Sequence, residues 1–189
     1  GEALDLGTQF GLCAIDLAKQ DYDFKITSLQ DSVKSLDISK KLAEEDMVEG
    51  KIIWAMGKPE SLPFEDNTFD LVISGFDMHH WENPVKAFNE IERVMKTKGV
   101  MVIGDLRRDA FNVMVPLLKT ISYAVKKDKI YEEMKSSFSS SYTKNEVIEL
   151  LRNSELKGYE VSKDVQFIYI KKEKVLEEKK HVVVKFASA

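Results

Sequence analysis

The chain has 189 residues, 43% of them hydrophobic, with 28 basic and 32 acidic side chains and a formal net charge of −4. That length suits one domain with its own core, and the near balance of charge excludes bulk electrostatic binding of nucleic acid, leaving room only for a local basic patch. One cysteine, Cys13, excludes a disulfide framework and a cysteine metal cluster; no run reaches the ~18 apolar residues of a membrane span, no signal peptide is evident, and a cytoplasmic location is expected.

Strand and helix signals alternate, which predicts βαβ units on a parallel sheet. The first strand is expected over Ala3–Leu6, a glycine-bracketed turn over Gly7–Gly11, and a helix over Phe10–Lys19 with Cys13 as a small buried hydrophobe. Phe24–Leu29 is the second strand and Val33–Glu45 the second helix. Lys51–Ala55 is the third strand, and Phe69–Ser74, continuous and apolar, is a fourth covered on both faces. Asn83 and Pro84 form an N-cap and first-turn proline for a helix to about Lys96, with Gly99 as its stop. Val100–Gly104 is strand five, and Ala110–Val125 a long apolar helix.

The serine-rich stretch Lys126–Ser141 has the least periodicity and is expected to be a mobile cover. Thr143 and Glu146 form a capping box for a helix to about Asn153. Tyr159–Ser162 and Val165–Ile170 read as a closing antiparallel pair. A domain over residues 1–171 is expected, followed by a charged extension over 172–189 whose apolar run His181–Phe186 is a candidate edge strand.

The opening segment carries chemistry. An apolar strand runs through Asp5 into a turn bracketed by Gly7 and Gly11, then into a helix. Backbone amides, a carboxylate and a helix N-terminus then meet at the edge of a sheet, the usual cradle for a nucleotide-type ligand. Asp105-Leu-Arg-Arg-Asp109 follows strand five on the same face. Arg107 and Arg108 are either binders of an acidic group or partners in surface ion pairs.

Four segments, EALDLGTQFG, GKPESLPFEDNTFDLVIS, DMHHWENPVKAFNEIERVMKTKG and VMVIGDLRRD, resemble the class I S-adenosylmethionine-dependent methyltransferases, in the branch similar to ubiquinone and menaquinone biosynthesis enzymes. The resemblance covers about Glu2 to Lys171. It implies a Rossmann-like α/β fold: a seven-stranded, mostly parallel sheet with an antiparallel last strand and helices on both faces. It implies transfer of a methyl group from S-adenosylmethionine to a small molecule, without metal. Asp5, Gly7, Thr8, Gln9 and Gly11 would surround the donor, with Gln30 and Asp31 at its ribose, Gly57, Lys58 and Pro59 at its adenine, and Ser74 and Phe76 after strand four. His79 and His80 are the candidate catalytic residues, against the alternative of packing, and Leu62, Pro63 and Phe64 are packing.

Three positions depart from the family pattern: Gln9 replaces a glycine, Gln30 a ribose-binding carboxylate, and Lys58 an adenine-accepting aspartate. Losing the last two acceptors costs about 2–4 kcal/mol if nothing compensates, or roughly 30- to 1,000-fold in affinity. A second expectation therefore stands beside the enzyme: a degenerate methyltransferase-fold protein serving as a binding or regulatory subunit. A third is that Lys58 marks an anionic ligand. The family's helices before strand one have no counterpart in the sequence, so the pocket is expected to be open, or covered by a second copy or a partner subunit, or the sequence is a truncated form of a longer chain.

Overall fold

The computed structural model describes residues 1–7, 10–20, 22–110 and 128–172. Seven strands form one sheet in the order β3-β2-β1-β4-β5-β7-β6. β1 (Glu2–Leu6), β2 (Lys25–Gln30), β3 (Ile52–Met56), β4 (Phe69–Gly75) and β5 (Met95–Leu106) are parallel. β7 (Phe167–Lys172) runs antiparallel to β5 and pairs antiparallel with β6 (Glu160–Lys163). The fold implied by the resemblance is the one observed.

Alternation along the strands divides the core between the two faces. Ala3, Ile26, Leu71 and Ile73 face α1 (Leu12–Lys19), through Cys13, Ala14 and Leu17, and α2 (Val33–Glu45), through Ala43. Leu4, Leu6, Val72, Met101 and Ile103 face α3 (Pro84–Val94), through Phe88 and Ile91, and α5 (Lys144–Arg152), through Val147 and Leu151. The Leu62 segment packs as expected: Leu62 is buried, Phe64 meets Phe69 edge-on at 5.1 Å, and Arg93 of α3 donates to the carbonyls of Leu62 and Phe64.

Most elements shift by one or two residues from the sequence reading, and three differences have a clear physical reason. Phe10 and Gly11 have φ of 66° and 76°, in the left-handed region, so the first helix starts at Leu12. The third helix ends at Val94 rather than about Lys96, and strand five begins at Met95 rather than after Gly99, because the Asn67 and Thr68 amides take the carbonyls of Arg93 and Val94 and Met95 joins the sheet opposite Phe69. The serine-rich stretch, expected to lack periodicity, is helical, as α4 (Asp128–Ser140), and its Ser137 lines a cavity at the sheet's edge. There Ser140 Oγ donates to the Ser136 carbonyl and Ser141 Oγ to the Ser137 carbonyl, four residues back. The capping box is present, with Thr143 and Glu146 bonding reciprocally. The helix expected over 110–125 and the strand over 181–186 lie outside the described residues, apart from Ala110. No helix of the described residues is long and apolar enough to cross a membrane.

Phe88 is fully buried and meets Trp81 edge-on at 5.7 Å, which braces the turn after β4 from behind. Phe88→Ala is expected to cost about 3–5 kcal/mol in urea unfolding, whereas Val33→Ala, at an exposed helix start, should stay within about 0.5 kcal/mol.

Candidate active site

The carboxyl ends of β1, β2, β3, β4 and β5 open into one cavity of about 730 Å³. β1 and β4 pair here although the chain leaves β1 toward β2 on the other side, so this is the sheet's topological switch point, where open α/β sheets take ligands. Its walls come from the end of each strand and the segment after it: Gly7 and Phe10, then Gln30 and Asp31, Gly57 to Pro59, Phe76, Asp77 and His79 to Trp81, and Leu106.

Of the residues read from sequence as donor-binding, Gly7, Gln30, Asp31, Gly57, Lys58, Pro59 and Phe76 line the cavity. Asp5, Gly11 and Ser74 do not; they stand behind the wall and hold it. Thr8 and Gln9 lie outside the described residues. Gly7 adopts φ 70° and turns the chain without a side chain to obstruct the opening. At Gly11 a Cβ would approach the Trp54 ring to 3.1 Å and Ser28 Oγ to 3.2 Å, so this glycine lets α1 close on β2 and β3.

A buried chain of hydrogen bonds connects Asp5 to Gln30. Ser28 Oγ donates to Asp5 Oδ2 at 2.9 Å, and Gln30 Nε2 donates to Ser28 Oγ at 3.0 Å. The serine hydroxyl has one hydrogen, and Asp5 takes it, so Gln30 must present its amide NH2 to Ser28. Gln30 Oε1 is thereby left as a buried acceptor with no partner among the described residues, at the cavity wall. Lys58 forms an ion pair with Glu82 across the rim. It is therefore not a free cation awaiting an anionic ligand, contrary to the third expectation from sequence.

The two histidines differ. His79 is buried; its Nδ1 lies 2.7 Å from Asp105 Oδ1, and its backbone amide donates to Asp105 Oδ2 at 2.7 Å. An ionised carboxylate only accepts, so the contact places a hydrogen on Nδ1. In the neutral ring Nε2 then carries a lone pair, and it has no partner among the described residues. This is the arrangement in which an acid orients an imidazole and leaves the far nitrogen free to take a proton. His80 stacks on His79 at 4.0 Å and lies at the rim, where burial, assisted by His79, holds its imidazole below the usual range.

Asp105, Asp77 and Trp81 were not read as site residues. Asp77 Oδ2 accepts from Trp81 Nε1 at 3.0 Å. Burial first, with the Asp105 and Asp5 charges adding to it, pushes the Asp77 carboxyl up to about 7. The signal available in sequence was an acidic residue at the carboxyl end of strand four and another at the end of strand five, facing the same opening. Arg107 and Arg108 do not line the cavity: Arg107 is engaged by both oxygens of Asp109, and Arg108 by Glu146 and the Ser141 carbonyl.

A carboxyl group whose folded value is raised binds more protons folded than unfolded between about pH 4 and 7. Asp77 therefore withdraws stability as pH rises through that window, up to about 7. Asp77→Asn should raise the midpoint of thermal unfolding, and by more at pH 8 than at pH 5, as differential scanning calorimetry will read.

A family model described as a methyltransferase domain matches residues 4–103. The protein MJ1123 of Methanocaldococcus jannaschii is 36% identical over 141 residues, covering 74% of this chain and 62% of that protein. The protein YafE of Escherichia coli is 34% identical over 90 residues, covering 48% of this chain and 43% of its own length; the chain thus spans about half the length of these two relatives. A demethylmenaquinone methyltransferase of Thermotoga maritima is 27% identical over 179 residues, covering 89% of this chain and 74% of the relative. In fold the chain is similar to a crystal structure from Methanococcus maripaludis assigned to the S-adenosyl-L-methionine-dependent methyltransferases. The TM-score is 0.68 at 24% identity, with 94% of this chain and 79% of that one covered.

Proposed function

We propose that this chain, which belongs to the methyltransferase domain family, takes S-adenosylmethionine as its donor and transfers a methyl group to an uncharged small molecule whose nucleophilic atom carries a removable proton. The observation that carries the proposal is the His79–Asp105 pair: His79 lines the cavity, and its buried Nε2 has no partner among the described residues.

The residues present fit the donor. Gln30 Oε1 is a buried, unpartnered acceptor where a ribose hydroxyl needs one, so the change from carboxylate to amide weakens this contact without abolishing it. Asp31 stands beside it on the same wall. Lys58 turns its ammonium to Glu82, leaving Gly57 and Pro59 to form the adenine side with Leu29. When bound, the donor supplies a methyl group on an already positive sulfur, so the protein's work is alignment and exclusion of water.

His79 does the remaining chemistry. Its Nε2 accepts the proton from the acceptor's hydroxyl or comparable group, and the electron pair left behind forms the new bond to the methyl carbon. Asp105 holds the ring with Nε2 left uncommitted, and stabilises the imidazolium that results. His80 forms part of the mouth. Among the described residues Lys58 is the one lysine or arginine at the cavity, and Glu82 neutralises it; this favours an acceptor without phosphate or carboxylate. The name of the Thermotoga maritima relative makes the hydroquinone form of a demethylmenaquinone-type compound the first acceptor to try, since the hydroquinone has the hydroxyl proton that the quinone lacks and can pass the electron pair released to a ring carbon.

Titration calorimetry with S-adenosylmethionine should give a dissociation constant between about 1 μM and 1 mM. No binding heat at millimolar donor would overturn the proposal and favour the binding or regulatory subunit instead. With an acceptor in hand, His79→Ala should lower kcat by about 10²- to 10⁴-fold and leave donor affinity within about threefold. An unchanged kcat would remove His79 from catalysis.

A further inference from the structure

Resting on the methyltransferase reading above, we propose that Asp77 makes the cavity selective for the positively charged methyl donor over the neutral-sulfur product left after transfer.

The starting point is the company Asp77 keeps. It follows Phe76, whose φ of 58° is unusual for a residue with a side chain and turns the chain sharply at the end of β4. The turn sets the Asp77 carboxylate across from Gly7, with Oδ2 only 3.4 Å from where a Cβ on Gly7 would stand. Both residues line the cavity. The one hydrogen bond found for this carboxylate is from the neutral indole of Trp81. The charged groups that face it are Asp5 from β1, Asp105 from β5 and, on its own turn, His79, the only one of the three able to turn positive. His79 is itself tied to Asp105.

Among the described residues a carboxylate in that setting faces no lysine or arginine to balance it, and a carboxyl group keeps its proton under such conditions. Two further atoms mark the same cavity as built for a guest: the buried Gln30 Oε1 and His79 Nε2 both lack partners among the described residues. A guest bringing a positive charge would let Asp77 ionise, and its proton would leave to solvent. Methyl transfer breaks the carbon–sulfur bond, and its electron pair stays on sulfur, which becomes neutral. Asp77 then faces an uncharged product and recovers a proton from solvent. Binding is favoured while the charge is present and weakened once it is gone. A cavity lined by Leu6, Leu29 and Phe76 makes that difference larger than water would allow.

The carboxyl value of about 7 for the empty cavity makes this exchange measurable. At pH 6 Asp77 is mostly protonated before the donor binds and ionised after. Donor affinity should rise about tenfold between pH 6 and pH 8 and level off above, while product affinity should change little. Asp31, Glu60, His80 and the Lys58–Glu82 pair also face the cavity, so the comparison is always with a variant that alters Asp77 alone. Asp77→Asn keeps an oxygen for the Trp81 indole and removes only the titration.

The test is titration calorimetry of the whole chain at pH 6 in two buffers of different ionisation enthalpy, which counts protons released on binding. S-adenosylmethionine should release close to one proton from the wild type and close to none from Asp77→Asn, with Asp77→Glu restoring release. S-adenosylhomocysteine should release close to none from the wild type. Donor over product preference should fall about tenfold in Asp77→Asn, about 1.4 kcal/mol. Equal proton release by donor and product, or release that survives in Asp77→Asn, overturns the inference while leaving the methyltransferase reading intact. No donor binding at all overturns that reading and this inference with it. Should Asp77→Asn not fold, the carboxyl ¹³C shift of Asp77 in the wild type, followed through donor and product titrations, decides the matter: loss of the proton with donor only is expected, and no difference between the two overturns it.

Discussion

The site is organised by one buried carboxylate. Asp105, at the end of β5, accepts the His79 backbone amide, His79 Nδ1 and the Leu106 amide, each at 2.7 Å. Burying a charge without such donors would be costly, so the turn after β4 must stay where its amide and imidazole can reach Asp105. That requirement sets the positions of the residues on the turn. His79 has one nitrogen committed and the other left over, Asp77 is carried to face Gly7, and Trp81 lies between Asp77 and the Phe88 ring. The sheet supplies the rest, since parallel strands end together and place every loop of the cavity on one edge.

Much of the fold could be read locally. Apolar continuity in β4, glycines bracketing the first turn, Asn83-Pro84 and the Thr143–Glu146 capping box are signals contained in a few adjacent residues, and each corresponds to the element expected. The misreadings are where distant residues decide. The third helix stops where Asn67 and Thr68 take its carbonyls, an event some 26 residues away along the chain. The serine-rich stretch looked irregular because serine usually competes with helical hydrogen bonding, yet here two hydroxyls bond back along the helix.

The site was legible in its outline and less so in its chemistry. Family resemblance led to the strand ends that open on the cavity and to His79, which lines it; three of the residues it named, Asp5, Gly11 and Ser74, are not among the lining. Lys58 looked like a change of ligand charge until Glu82, 24 residues on, was found beside it. Asp105 gets no role from the sequence, because nothing in a linear pattern connects it to a histidine 26 residues earlier. The cavity that results combines apolar walls with acids and a single compensated lysine among its described residues, a setting suited to a cationic donor and a neutral acceptor.

The dependence of the site on the Asp105–His79 contact is most directly tested by the tautomer of that one ring. A long-range ¹H–¹⁵N spectrum of the ¹⁵N-labelled chain at pH 8.5, with the His79 signals assigned by His79→Gln, reports which nitrogen carries hydrogen in the neutral imidazole. The expected result is hydrogen on Nδ1 and a bare Nε2, shifting toward equal population of the two tautomers in Asp105→Asn. Hydrogen on Nε2 in the wild type would contradict the account, because the nitrogen left over by the Asp105 contact would then be unable to accept a proton.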